Sequence, residues 1–286
     1  MSVGLVLEGG GMRGAYTAGV LEALAEHKVV FPYVAGVSAG ALNAAAFVSG
    51  HPGRTRRVLV DYCQDPRLLS VQNLMINGSV FGYDFIFNHI AAEHALIDFD
   101  LLHRSETILL AGATDCATGR AVWYGKEHIG PGRTETLAAS CSVPFVSKVV
   151  EYQGRQLLDG ACVCPIPVEK SMADGNEHNV IVLTKHACHE KKIGYPLGMI
   201  KSVYGRFPKL VETLASSNDI YNEQVRLCRR LEKEGKAVVI QPPPSLMVST
   251  YEKNPQILSS LADRGYADGK AKLSEIAALM ERDKLS

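Results

Sequence analysis

Three groups of residues in this chain have the types and spacing to do chemistry together. They are a Gly-x-Ser-x-Gly turn at Gly36-Val37-Ser38-Ala39-Gly40, a glycine loop at Gly9-Gly10-Gly11-Met12-Arg13-Gly14, and an aspartate in Asp159-Gly160-Ala161. The serine turn lies between an apolar run, Tyr33 to Val37, and an Ala-rich stretch from Ala39 to Val48, so it reads as a nucleophile elbow between strand and helix. Gly36 and Gly40 remove the side chains that would collide across such a bend. Ser38 Oγ then stands above the strand end, where the first amides of the helix favour a developing alkoxide or oxyanion. Serine is also a favoured helix N-cap, and the pentapeptide alone does not separate the two roles.

The glycine loop carries two chemical readings. Gly9 to Gly14 satisfies G-x-G-x-x-G after a strand and before a helix, as a dinucleotide fingerprint requires. That fingerprint also needs an acid about 20 residues further on to hold the ribose, and the second strand here ends in Ala35-Gly36-Val37-Ser38 instead. The other reading is an oxyanion hole, in which consecutive glycines expose backbone N–H groups to a carbonyl oxygen that is becoming negative. Adjacent parallel strands deliver their loops to one edge of a sheet, so the loop and Ser38 belong side by side.

A base for Ser38 is expected at Asp159, where the strand Gln156-Leu157-Leu158 ends before Pro165 and Pro167. Aspartate also initiates turns, and Asp159 by itself fits that role as well. The histidines after the serine, at 51, 89, 94, 103, 128, 178, 186 and 189, occupy no evident strand-end turn. His186 and His189 fall in a polar stretch, Lys185 to Lys192, that reads as a solvated loop.

The elements that would hold these groups alternate. Val3 to Leu7 is an apolar strand, Ala15 to Lys28 a helix, Tyr33 to Val37 a strand and Ala39 to Val48 a helix, which points to an α/β fold built on a parallel sheet. The 286 residues suffice for a large core. Thirty basic side chains against thirty acidic ones, with no basic run, exclude a polyanion such as nucleic acid as the expected partner. Seven scattered cysteines (63, 116, 141, 162, 164, 188, 228) without a Cys-x-x-Cys pair fit neither a disulfide framework nor a zinc cluster. Reduced thiols, and no leader or membrane-length apolar run in the sequence given, set the expectation of a cytoplasmic protein.

In their order, Gly9-Gly10-Gly11-Met12-Arg13-Gly14, Gly36-Val37-Ser38-Ala39-Gly40 and Asp159-Gly160-Ala161 resemble the three signature motifs of the patatin-like phospholipase family, with Ala161 where many members have glycine. Ala139-Ser140-Cys141-Ser142-Val143-Pro144 resembles the family's A-S-x-x-x-P segment, and Thr114-Asp115-Cys116-Ala117-Thr118-Gly119 is a further match. The resemblance covers about residues 3–185. It implies a three-layer α/β/α sandwich with a mainly parallel sheet, a modified form of the α/β-hydrolase type, and a lipid acyl hydrolase of phospholipase A or lysophospholipase type. It implies Ser38 as nucleophile and Asp159 as general base without histidine, an acyl-enzyme, and no metal or organic cofactor. The oxyanion hole would lie in the loop Gly9, Gly10, Gly11, Met12, Arg13, Gly14, its donors the amides of Gly10, Gly11 and Met12. Arg13 would anchor that loop or face a lipid phosphate. The implied partner is a lipid or acyl ester, with room for a transient contact with a membrane surface. A non-lipid carboxylesterase or an acyltransferase would use the same chemistry, and a nucleotide-binding module would use the glycine loop alone.

The glycine-interrupted aromatic stretch from Leu74 to Phe87 is expected either to line an acyl pocket or to pack in the core. From about Ile193 onward no motif is evident. Two helices or one irregular helix are expected over Pro208 to Lys233, a strand at Val238 to Gln241, and closing helices at Pro255 to Leu261 and Gly269 to Arg282, all within a single domain of residues 1–286.

Overall fold

Val3 to Leu7 is buried along its whole length, as a strand with both faces covered must be, and forms β1 (Val3–Leu7). The computed structural model describes residues 3–90, 97–186, 189–192 and 194–285, and builds an eight-stranded sheet around that strand. The others are β2 (Tyr33–Val37), β3 (Ile108–Asp115), β4 (Arg120–Gly125), β5 (Val150–Tyr152), β6 (Arg155–Asp159), β7 (His178–Val182) and β8 (Ala237–Ile240). The described helices are α1 (Gly14–Glu26), α2 (Ala39–Val48), α3 (Gly53–Asp61), α4 (Val71–Asn77), α5 (Phe99–Arg104), α6 (Glu135–Ser140), α7 (Val168–Ala173), α8 (Leu197–Tyr204), α9 (Pro208–Ala215), α10 (Ser217–Lys233), α11 (Pro255–Ala271) and α12 (Leu273–Leu285). His94, Cys188 and Ile193 lie outside the described residues.

Alternate strand residues enter two different cores. Leu5, Leu7, Val180, Val182, Val238 and Ile240 face one layer, packed with Leu21 and Leu24 of α1 and with Leu258 and Leu261 of α11. Val6, Ile181 and Val239 face the other, packed with Val168 of α7 and with Tyr221, Val225 and Cys228 of α10. The result is a mixed α/β fold with helices on both faces of the sheet.

The sheet runs β5-β6-β3-β2-β1-β7-β8, with β4 also on β3. Its core, β3-β2-β1-β7-β8, is parallel, while β4 and β6 join β3 antiparallel. A strand has only two edges, and this decides the geometry of the site. Residues 110–112 of β3 pair with β2 and β4 at once, and residues 113–115 pair with β4 and β6 at once. β2 and β6 therefore share the edge opposite β4 and run toward each other along it. Val37, the last residue of β2, pairs with Gly112, and Asp159, the last residue of β6, pairs with Ala113.

One open alternative is resolved and one expectation changes. Phe85, Ile86 and Phe87 begin a turn of π-helix, Phe85–His89, and are buried in the main core, so the aromatic end of the stretch packs the interior. Phe85 stands edge-on to Tyr62 at 5.8 Å and beneath the Arg67 guanidinium at 4.3 Å. The C-terminal pattern read as a break at Gly269 is instead interior to α11, which runs unbroken from Pro255 to Ala271. The reason is close packing, since a Cβ on Gly265 would run into the Tyr16 carbonyl of α1, and one on Gly19 into the Ala262 carbonyl of α11. Glycine here serves helix–helix approach, at a propensity cost of about 1 kcal/mol per residue that packing offsets. Pro208 to Lys233 does divide into α9 and α10, at Ser216.

Gly265→Ala should destabilise the fold by at least about 1–3 kcal/mol through overpacking. Gly198→Ala, where a Cβ meets nothing within 4 Å in α8, should be neutral or stabilising by less than about 1 kcal/mol. Urea titration of the two variants beside the parent measures both.

Candidate active site

Ser38 sits where β2 gives way to α2, with φ 55° and ψ −130°, a backbone conformation rare for a residue bearing a Cβ. Its neighbours make the bend possible by having no side chain. A Cβ on Gly36 would strike the Gly40 carbonyl, and one on Gly40 would strike the Leu7 carbonyl of β1. The Ser38 amide donates to Ser140 Oγ at 2.8 Å, and Ser140 Oγ donates to the Gly112 carbonyl at 2.6 Å, tying the turn to β3. Ser140 belongs to the Ala139-Pro144 segment, whose Cys141 carbonyl also accepts from the Tyr83 hydroxyl.

Asp159 meets the serine because β6 meets β2. Ser38 Oγ donates to Asp159 Oδ2 at 2.8 Å, and the Ala161 amide donates to Oδ1 at 2.8 Å. The aspartate's own backbone is pinned on both sides, its amide to the Ser142 carbonyl at 2.8 Å and its carbonyl by Thr114 Oγ1 at 2.8 Å. Gly160 passes so close to Gly112 that a Cβ there would strike the Gly112 carbonyl. Ser38 is 6% exposed and Asp159 3%. Burial pushes the Asp159 carboxyl up to about 7, against the opposing hydrogen bonds from Ala161 and Ser38.

The glycine loop borders the same point, for a Cβ on Gly9 would lie 3.1 Å from Ser38 Cβ. Its amides are not equivalent. Gly9 donates to the Pro165 carbonyl at 3.2 Å, Met12 to the Thr250 carbonyl at 3.0 Å, and Arg13 back to Gly10 at 3.2 Å. Gly10 and Gly11 have no acceptor among the described residues. The expectation that Met12 is a third donor is therefore corrected, because its N–H already donates to the Thr250 carbonyl. Gly11 has φ 57° and lies against Thr250, where a Cβ would come 2.7 Å from the Thr250 carbonyl oxygen. Arg13 Nη1 donates to Thr250 Oγ1, which makes Arg13 a loop anchor. Gly14 opens α1, and its carbonyl accepts from Asn43 Nδ2 of α2 at 3.1 Å.

Ser38, Asp159, Ala161 and Gly9 to Gly11 line one cavity of about 300 Å³, closed on other sides by Pro144, Tyr195, Tyr221 and Tyr251. Besides Arg13 of the glycine loop, three charged residues line it that motif reading overlooked or assigned elsewhere: Glu8, Lys185 and Lys191. The stretch from Lys185 to Lys192 is thus not simply a solvated loop. It follows the buried strand β7 at the same edge as the glycine loop, a placement that β7 pairing with β1 imposes. Glu8 is buried, accepts from the Thr184 amide at 2.5 Å, and has its carboxyl raised by burial. Among the described residues no histidine and none of Leu74 to Phe87 lines the cavity. The described cysteines are free and buried.

Fold and site define a mixed α/β protein with a strained serine held against a buried carboxylate beside a glycine loop. Comparison with known proteins adds a family likeness. Residues 5–118, which include the glycine loop and the serine elbow, match the model described as Patatin-like phospholipase. Residues 207–281 match a second model, a domain of unknown function (DUF6363). Asp159 lies outside both matched segments. The protein YjjU of Escherichia coli (strain K12), described as uncharacterized, is 28% identical over 189 residues, 64% of this chain and 52% of that protein. An uncharacterized NTE family protein of Mycobacterium bovis, Mb1092c, is 28% identical over 174 residues, 58% of this chain and 44% of that protein. The chain thus spans about half the length of the curated relatives it matches. The crystal structure of VipD from Legionella pneumophila aligns with 96% of this chain and 67% of its own at 14% identity, with a TM-score of 0.48, a likeness that decides nothing further.

The raised carboxyl has a consequence for stability. The folded state holds the Asp159 proton more tightly than an ordinary carboxyl near 3.8 does, so the stabilisation is complete below about pH 4 and is lost as pH rises to about 7. Over that window the parent should lose about 1.4 kcal/mol per pH unit relative to Asp159→Asn. Urea unfolding of both proteins from pH 5 to 8 measures the gap, and a gap independent of pH would mean that the carboxyl titrates normally.

Proposed function

We propose that this chain is a serine-dependent lipid acyl hydrolase acting through a Ser38–Asp159 dyad and a covalent acyl-enzyme. The observation that carries the reading is the 2.8 Å hydrogen bond from a strained serine to a buried carboxyl poised near 7, inside a cavity that also holds two amides without acceptors. An ordinary aspartate is too weak a base to take a serine proton efficiently, and a carboxyl near 7 is better matched to neutral conditions. Ser38 Oγ attacks the ester carbonyl while its proton passes to Asp159 Oδ2. The oxyanion is received by the Gly10 and Gly11 amides, whose orientation is set by the Thr250 contacts to their neighbours. Collapse expels the alcohol, which takes the proton from Asp159, leaving the acyl group on Ser38. A water that gives its proton to Asp159 then attacks the acyl carbonyl, and the carboxylic acid leaves as Ser38 recovers its proton. The lipid nature of the substrate rests on the match to the patatin-like phospholipase model.

A fluorescent fluorophosphonate should label the parent and leave Ser38→Ala unlabelled, with labelling of Asp159→Asn lower by on the order of 100-fold or more at unchanged circular dichroism. The labelling rate should rise with pH through an apparent pKa near 7, because only the ionised Asp159 accepts the proton. Equal labelling of folded parent and Ser38→Ala would overturn the assignment.

A further inference from the structure

One wall of the cavity that holds Ser38 is cationic in a way the hydrolytic chemistry does not require. Lys185, Lys191 and Arg13 all line it. Lys191 is fixed by a two-way clamp to α10, its amide donating to Asn222 Oδ1 at 2.9 Å and its carbonyl accepting from Asn222 Nδ2 at 3.0 Å. Its ammonium lies 4.3 Å from the centre of the Tyr221 ring. The Lys185 ammonium stands 3.0 Å from His189 Nε2 and 5.6 Å from the same ring centre. Arg13, held at Nη1 by Thr250, keeps its Nε–H buried without an acceptor.

Glu8, buried at the same cavity, is the one carboxyl whose charge acts on all three cations, but it forms no ion pair with any of them. Among the described residues none of the three cations has a carboxylate within 4.0 Å. The two carboxyls of the cavity are engaged elsewhere, Glu8 with the Thr184 amide and Asp159 with Ser38 and Ala161. Burial, together with the charges of Arg13 and Lys191, lowers the Lys185 ammonium to about 8, and Lys191 is lowered mainly by burial. Gathering like charges in a partly desolvated wall is unfavourable unless an anion completes it. A terminal phosphate brings between one and two negative charges and three strong acceptor oxygens, which matches two ammonium groups and one open guanidinium N–H.

We propose that Lys185 and Lys191 form an anion subsite of the cavity, which makes them specificity-determining residues for acyl esters whose alcohol portion ends in a phosphomonoester. The proposal deepens the hydrolase reading and rests on it for the position of the ester. The phosphate engages the lysines while the ester carbonyl lies at Ser38, so recognition and reaction share one cavity. Both lysines lie outside the matched segments 5–118 and 207–281, and neither belongs to a catalytic motif.

The test compares hexanoyl esters of glycerol 3-phosphate, glycerophosphocholine and glycerol, which share one scissile bond, on the parent and on the double variant Lys185→Gln, Lys191→Gln. The parent should favour the phosphomonoester in kcat/KM by on the order of tenfold or more over both others, the energy scale of a charge-assisted contact. The double variant should lose that preference while its kcat/KM on the glycerol ester stays within about twofold. Equal losses on all three esters would show that the lysines only support the fold, and an unselective parent would also overturn the subsite. Calorimetric titration of Ser38→Ala with glycerol 3-phosphate, with and without the two lysine changes, separates the two levels. Lysine-dependent binding in a protein that hydrolyses no ester would leave the subsite standing and remove the hydrolase reading. Ester hydrolysis without such binding would do the reverse.

Discussion

The 2.8 Å hydrogen bond between Ser38 Oγ and Asp159 Oδ2 depends on two strands that share one edge of a third. β2 reaches Gly112 and stops, and β6, running the other way, reaches Ala113 and stops. Their ends face each other across a single residue step of β3, so each terminal side chain is delivered to the same place. Glycine is required at the junction because three backbones converge there. Gly36, Gly40 and Gly160 each sit where a Cβ would strike a carbonyl oxygen. Ser140 spans the junction as a relay, accepting from the Ser38 amide and donating to Gly112. A serine in left-handed backbone geometry persists because these contacts leave it no lower-energy alternative.

Burial then sets the chemistry. With both members of the pair nearly excluded from solvent, the charged form of Asp159 is disfavoured and its carboxyl moves up to about 7. The same exclusion strengthens every dipole aimed into the cavity, including the Gly10 and Gly11 amides. Beside those amides Thr250, more than two hundred residues away in sequence, accepts from the Met12 amide and anchors Arg13. Thr250 lies in the segment 207–281, which also contributes Tyr221 and Tyr251 to the cavity wall. The C-terminal part of the chain, silent at the level of motifs, is therefore built into the site, and its helices cover both faces of the sheet.

Much of this was legible in the sequence, and the reasons are local. β1, β2 and α2 lie where apolar runs and glycines place them, because a strand buried on both faces leaves an uninterrupted apolar signature. The elbow at Ser38 and the glycine loop were readable because close backbone approach demands glycine at fixed spacings. The helical Pro255 to Ala271 was misdivided for the same reason in reverse: Gly265 and Gly269 look like breaks along the chain, yet they are contact points against α1. The aromatic stretch from Leu74 to Phe87 could not be assigned between core and pocket, since composition does not say which side of a layer a ring faces.

The sequence by itself determined the reactive types and the local turns that display them: a serine at a strand-to-helix bend, an aspartate at a strand end, and a run of exposed amides. Those depend on steric limits within a few residues. Only the tertiary structure decided which groups share a cavity and what their surroundings do to them. The pairing of Ser38 with Asp159 is a matter of strand order. The turning inward of Lys185 and Lys191 is a matter of the β1–β7 pairing and of the α10 clamp at Asn222. The elevated carboxyl of Asp159 comes from desolvation by residues from many parts of the chain. Charge and hydrogen bonding act through distances in space, and those distances arise only when remote segments are folded together.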